Sequence, residues 1–252
     1  MAAILAVHAH PDDIEILCGG TLALLAGQGH VVTIVTATAG EGGSAEFDPS
    51  ETGRVRQAEA AASAAHIGAA YRCLGFPDLG VFNDDPSRRT VTELLRSVRP
   101  DIVITGSPID YHPDHEAISQ LVRDACFAAP VANYRTGQSR ALATIPALYF
   151  MDSIGGRDRD GNKLPRDFAV DVSATFSVKQ AMLAEHKSQA DWVARQHGIS
   201  DHLADMDRWT GRVGKDFGVQ LAEGFRQYRH PPYPRGPMLQ ALLGDAVMSV
   251  GS

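Results

Sequence analysis

Short apolar runs that end abruptly in clusters of His and Asp, each followed by a helix-forming stretch, restrict the fold of this chain more than any other feature. Residues 2–7 (AAILAV) break off at His8-Ala9-His10-Pro11-Asp12-Asp13. Residues 101–105 (DIVIT) give way, after Gly106, to Ser107-Pro108-Ile109-Asp110-Tyr111-His112-Pro113-Asp114-His115. A buried strand that delivers polar side chains from its carboxyl end has this form. Residues 31–38 (VVTIVTAT) are β-branched with no helical period and read as another buried strand. Residues 71–74, 147–151 and 168–172 read as further strands. Helical spacing marks residues 14–28, 54–67, 90–98, 116–127, 179–195 and a stretch within 203–225. Strands alternating with helices predict an α/β fold built on a mostly parallel sheet with helices on both faces. Ligands of open α/β sheets bind beyond the carboxyl ends of the strands, so the two polar clusters are expected to face one crevice.

No internal repeat and no shift in composition divides the 252 residues. A single domain over residues 1–252 is expected, with residues 1–130 forming the core that carries both clusters. Residues 131–252 then supply the remaining strands, a cap or lobe over the strand ends, and a proline-rich tail. Apolar residues at 44% and charged residues at 21% are those of an ordinary soluble protein. No apolar run reaches the roughly 18 residues of a membrane helix. The start lacks the basic region of a signal peptide, and three scattered cysteines without a CxxC fit a reduced, cytoplasmic chain. The net charge of −7 argues against nucleic-acid or anionic-membrane partners and against a polyanionic substrate. A cytoplasmic enzyme or small-molecule binder remains.

Each of the clusters His10-Pro11-Asp12-Asp13 and His112-Pro113-Asp114-His115 places a His within three residues of a carboxylate or a second His. Two imidazoles and one carboxylate on adjacent strand ends are what a catalytic zinc site requires, with a fourth position open for water. A spare carboxylate then serves as general base. The competing reading is that Asp12, Asp13 and Asp114 are helix caps and first-turn acids, with Pro113 a natural first helical residue. Two such clusters, both carrying histidine and both at strand ends, favour the metal site. Two His and one Asp suit Zn2+, and also Fe2+ or another divalent ion.

At AVHAHPDDIE and again at DYHPDH the chain resembles the PIG-L/LmbE-like family of zinc-dependent N-deacetylases, and more loosely at residues 179–189 and at Ala222-Glu223-Gly224-Phe225-Arg226. That resemblance implies a Rossmann-like fold and removal of N-acetyl groups from glucosamine conjugates. It makes His10, Asp13 and His115 the metal ligands, Asp12 the general base, and His112 the group that stabilises the oxyanion or protonates the amine. It makes Glu41, Arg56 and Asp78 substrate-binding, and a homo-oligomer is common among such relatives. One departure is that the motif continues Ile14-Glu15, whereas many members carry the Glu directly after the second Asp.

The residue-level alternatives are a solvated loop Glu for Glu41, an exposed ion pair with Glu59 for Arg56, and a turn residue for Asp78. Asp110 and Asp114 are expected behind the ligands, holding a ligand histidine, and Tyr111 near them. His8, on the same strand face as His10, reads as a core histidine with a spare metal ligand as the alternative; His186, His197, His202 and His230 read as structural or surface residues, and Cys18 as packing. The partner implied is a small N-acetylated sugar conjugate. A second reading keeps the site but hydrolyses a non-sugar amide or hydrates an unsaturated acid.

Overall fold

Alternation within the apolar runs sorts their side chains onto two faces, as the two-residue period of a strand demands. The computed structural model describes residues 1–190, 192 and 201–249. In β1 (Ala3–His8), Ile4 and Ala6 join one apolar cluster while Leu5 and Val7 join another, all fully buried. The first cluster is closed by α1 (Asp13–Gly27), by Ala64 of α2 (Pro49–Ala65) and by Met182 of α5 (Phe176–Ala184). The second is closed by α3 (Asp85–Val98) and α4 (Pro113–Ala128). Helices therefore cover both faces.

The remaining strands are β2 (Val31–Thr38), β3 (Ala70–Phe76), β4 (Ile102–Thr105), β5 (Ala147–Met151), β6 (Phe168–Asp171), β7 (Ala222–Gln227) and β8 (Val247–Ser249). They form one sheet in the order β3-β2-β1-β4-β5-β7-β6-β8. The first five strands of that order run parallel, with Ile4 opposite both Val32 and Ile102. The other three pair antiparallel. Strand order reverses at β1, between β2 and β4, which is the topological switch point where such sheets bind ligands.

The carboxyl-terminal part supplies the remaining strands. Its strands β6, β7 and β8 extend the same sheet, and the amphipathic α6 (His202–Phe217) packs on β7 and β6. A short α7 (Met238–Leu243) follows. The expected helical stretch within 203–225 thus divides into a helix and a strand. Helices α2 and α3 begin five residues earlier than their apolar periodicity indicates. Asp48 and Asp84 accept from Glu51 N–H and Ser87 N–H, and Pro occupies the first turn in both. Capped polar first turns have no apolar residues to register in the pattern. The helix expected over 179–195 breaks at 185–186 and resumes at 187; residues 191 and 193–195, and His197, lie outside the described residues.

Candidate metal centre and its cavity

The loop after β1 turns into α1 at Asp12, whose φ of 102° is in the left-handed region that a non-glycine residue seldom adopts. Asp12 stands in the cap position, yet its side chain makes no capping hydrogen bond. Its carboxylate is free for other work. At α4 the capping role falls instead to His112, whose Nδ1 accepts from Asp114 N–H at 3.2 Å, with Pro113 as the first helical residue. The helix-start reading therefore describes Pro113 and the first-turn acids Asp13 and Asp114, whereas the capping bond at α4 comes from His112 and Asp12 makes none.

These two turns bring His10, Asp13 and His115 together. His10 Nδ1 lies 3.2 Å from His115 Nε2, and Asp13 Oδ2 lies 3.4 Å from each of them. A tetrahedral ion bound at about 2.0–2.1 Å separates its ligands by roughly 3.3–3.4 Å, so the triangle has the size of one face of such a site. The far nitrogens of both imidazoles face carboxylates. His10 Nε2 donates to Asp78 Oδ1 at 3.1 Å and lies 3.5 Å from Asp114 Oδ2, and His115 Nδ1 is 3.1 Å from Asp110 Oδ1. Carboxylates behind the rings fix the tautomers that leave His10 Nδ1 and His115 Nε2 bare toward the centre, the arrangement of metal-binding histidines. Donor type, spacing and backing all fit a divalent ion.

Burial raises a carboxyl, yet the facing His115 and His8 imidazoles and the bonds from His10 and His8 hold Asp13 well below the usual range. Burial raises Asp12 above it, with the Asp13 charge adding to the effect and the Arg56 guanidinium at 3.5 Å opposing it. Burial lowers His10, but Asp114, Asp13 and Asp78 outweigh it and leave the imidazole well above its ordinary value. Half-buried His112 is lowered by desolvation and by the nearby His10 and His115. With Nδ1 accepting from the backbone, its neutral form carries the proton on Nε2.

Of the three expected substrate-binding residues, Arg56 and Asp78 line the cavity and Glu41 does not, and all three hold groups of the protein itself. Glu41 is set back from the cavity and accepts from Asp78 N–H at 2.8 Å. Asp78 lines the cavity but spends its oxygens on His10 and Gly42 N–H. Arg56 is 4% exposed and donates to Gly40 O and Pro11 O, clamping both loops. The Arg56–Glu59 pair does not form; Glu59 accepts from Ser188 instead. Asp114 accepts from Leu79 and Val81 N–H, so it holds the 79–81 loop as well as facing His10. Glu15 points into α2, accepting from Ser63 Oγ at 2.6 Å.

Two further histidines, His8 and His202, stand at the site. Buried His8 donates Nδ1 to Asp13 Oδ2 at 2.7 Å, so it holds that carboxylate in place. Its place two residues before His10 on one strand face was the available signal. His202 lines the cavity, and nothing in its spacing indicated this. The cavity, about 570 Å3, opens from the triad and is walled by Trp192, Met206, Trp209, Ile154 and Leu79, with Tyr111 and Arg212 also lining it.

A family model for GlcNAc-PI de-N-acetylase (PIG-L) matches residues 5–126. The 1D-myo-inositol 2-acetamido-2-deoxy-alpha-D-glucopyranoside deacetylase of Rhodococcus erythropolis is 34% identical, over 74% of this chain and 80% of its own. A protein of the same description from Nakamurella multipartita is 29% identical, over 94% of this chain and 92% of its own. Among solved structures, N,N'-diacetylchitobiose deacetylase from Pyrococcus horikoshii matches with a TM-score of 0.78 at 21% identity, over 94% of this chain and 89% of that one. The 4-carboxy-2-hydroxymuconate hydratase of Pseudomonas putida KT2440 matches with a TM-score of 0.74 at 23% identity, over 94% and 98%. These two structures share the fold, on which both hydrolysis and hydration occur.

Proposed function

The chain belongs to the PIG-L family of de-N-acetylases, a family of N-deacetylating hydrolases, and we propose from that premise that it removes the N-acetyl group of a small N-acetylglucosamine-type conjugate with one divalent ion, Zn2+ in the first instance. The observation that carries the reading is the triangle of His10 Nδ1, Asp13 Oδ2 and His115 Nε2 with edges of 3.2 to 3.4 Å. Those three residues would hold the ion. Such an ion supplies Lewis acidity toward a water and an amide carbonyl.

The rest of the chemistry falls to residues of this chain. Asp12, uncommitted to capping and raised by burial, takes the proton of the attacking water; a base shifted toward the working pH does this better than an ordinary carboxylate. Arg56 and the strained backbone fix where Asp12 points. His112 presents Nε2–H to the oxygen on which negative charge develops, a contact whose removal costs about 3–4 kcal/mol in comparable sites. The proton that Asp12 has taken then passes to the departing amine. His8, Asp110, Asp78 and Asp114 orient the ligands. No serine or cysteine nucleophile enters, so no acyl-enzyme is required. The proposal takes the whole chain as one deacetylase unit.

Incubating the zinc-loaded protein with N-acetylglucosamine conjugates, and measuring acetate and primary amine together, tests the reading. Equal amounts of both are expected. A fully loaded protein that releases neither, yet hydrates an unsaturated acid or cleaves a sugar-free amide, would move it to the second reaction.

A further inference from the structure

A groove of about 390 Å3 adjoins the cavity and shares Gly155, Trp209 and Arg212 with it. Five cationic side chains line it (Arg157, Lys163, Arg166, Arg212 and Lys215) against one acidic residue, Asp216. In a chain of net charge −7 that local excess runs against the whole. Asp216 Oδ2 is already engaged by Lys163 at 2.6 Å and by Arg166 at 3.0 Å, and Arg166 also pairs with Asp152 at 2.6 Å. Arg157 donates only to the Gly161 carbonyl. Arg212 and Lys215 have no hydrogen-bond or ion-pair partner among the described residues. Three cationic side chains of the groove therefore lack a charged partner among the described residues, and one of them, Arg212, also lines the cavity. Lys215 sits in the last turn of α6, where a cation stabilises the helix end by itself. Arg212, a turn earlier and shared with the cavity, has no such explanation.

We propose that this groove is an anion subsite for the substrate, receiving a phosphate or carboxylate group carried on the side of the conjugate remote from the acetamido group. The inference rests on the deacetylase reading of the neighbouring cavity. The Trp209 indole forms the shared wall between the two, with the Arg166 guanidinium 5.5 Å from its ring centre. A conjugate whose acetamido group sits at the triad can pass this wall and meet Arg212 on the far side. A guanidinium fork suits two oxygens of a phosphate or carboxylate. One groove of this size takes one anionic group, which is compatible with an acidic surface that repels polyanions.

The test uses the zinc-loaded full chain and three N-acetylglucosamine conjugates that differ only in a neutral, carboxylate or phosphate tail. At low salt an anionic tail is expected to raise kcat/KM by about tenfold or more, chiefly through KM, and the gain shrinks as salt screens it. Whichever anionic tail gains more identifies the group. In an Arg212→Glu/Lys215→Glu double variant the anionic-to-neutral ratio falls to about one. Equal kcat/KM for all three conjugates in the unaltered protein overturns the subsite and leaves the deacetylase reading standing. If none is turned over, that reading fails, and calorimetric binding of the phosphate conjugate decides the groove. A tenfold or greater loss of affinity in the double variant sustains the subsite, and equal affinity overturns it.

Discussion

Asp12 and Asp13 are chain neighbours driven in opposite directions, one carboxyl raised by burial and the other held low by imidazoles. Paired groups pushed apart in this way suit the proposed division between base and ligand. Asp12→Asn is expected to keep its metal and lose roughly 10²- to 10⁴-fold in kcat, the usual range for a general base. Metal analysis beside turnover checks this, and loss of the ion from Asp12→Asn but not from Asp13→Asn reverses the roles. His10 yields a pH prediction. Its imidazole is raised well above the ordinary value in the metal-free protein, so the protonated ring is favoured as pH falls. Because a ligand imidazole must give up that proton, zinc affinity should rise with pH, and binding should release a proton. Calorimetry between about pH 6 and 8 in buffers of different ionisation enthalpy reads both. A pH-independent affinity with no proton release contradicts the assignment. Much of this site was legible because His10, Asp13, His112 and His115 sit in two short motifs. The supporting carboxylates were harder to read. Asp78 and Glu41 act through backbone and imidazole contacts between residues 36 to 68 positions apart, which local spacing does not encode.

The first helix carries the site, and its position depends on a buried ion pair. Lys179 of α5, fully buried, donates to Glu223 of β7 at 2.5 Å and to Ile16 O of α1 at 2.8 Å. Glu223 also accepts from Gly20 and Thr21 N–H in the middle of α1. Glu223→Gln leaves the ammonium without its counter-charge, and removing one member of a buried pair costs about 3–5 kcal/mol. Urea denaturation should show that loss, and a change below about 1 kcal/mol would mean the pair does not hold α1. Gly20 permits this approach, since a Cβ there would lie 2.7 Å from Val172 Cβ. Gly20→Ala should therefore cost about 1–3 kcal/mol by overpacking, read by the same denaturation. The pair also explains why β7 was illegible. Its sequence AEGFRQ buries a Glu and a Gly between two other strands, so it shows neither apolar continuity nor clean alternation. Strands β1, β2 and β4, uniformly apolar or β-branched, had no such disguise. The three-residue β8 is too short to show a period.

Across the whole molecule, the order β3-β2-β1-β4-β5 sets β1 and β4 side by side, so two motifs about a hundred residues apart end in one crevice. The antiparallel extension β7-β6-β8 carries α6 on it, and α6 brings Met206, Trp209 and Arg212 to the cavity wall. The parallel half thus carries the proposed metal centre, and the antiparallel half supplies part of the cavity wall in front of it. No helix among the described residues is long and apolar enough to cross a membrane. On the proposed function, His10, Asp13 and His115 hold one divalent ion that the reaction requires. The most direct measurement is metal content per chain, by elemental analysis after dialysis against zinc. The unaltered protein, Asp12→Asn and His112→Ala should each retain about one ion, while His10→Ala, Asp13→Ala and His115→Ala should each lose it. Full occupancy in all three ligand variants would contradict the account.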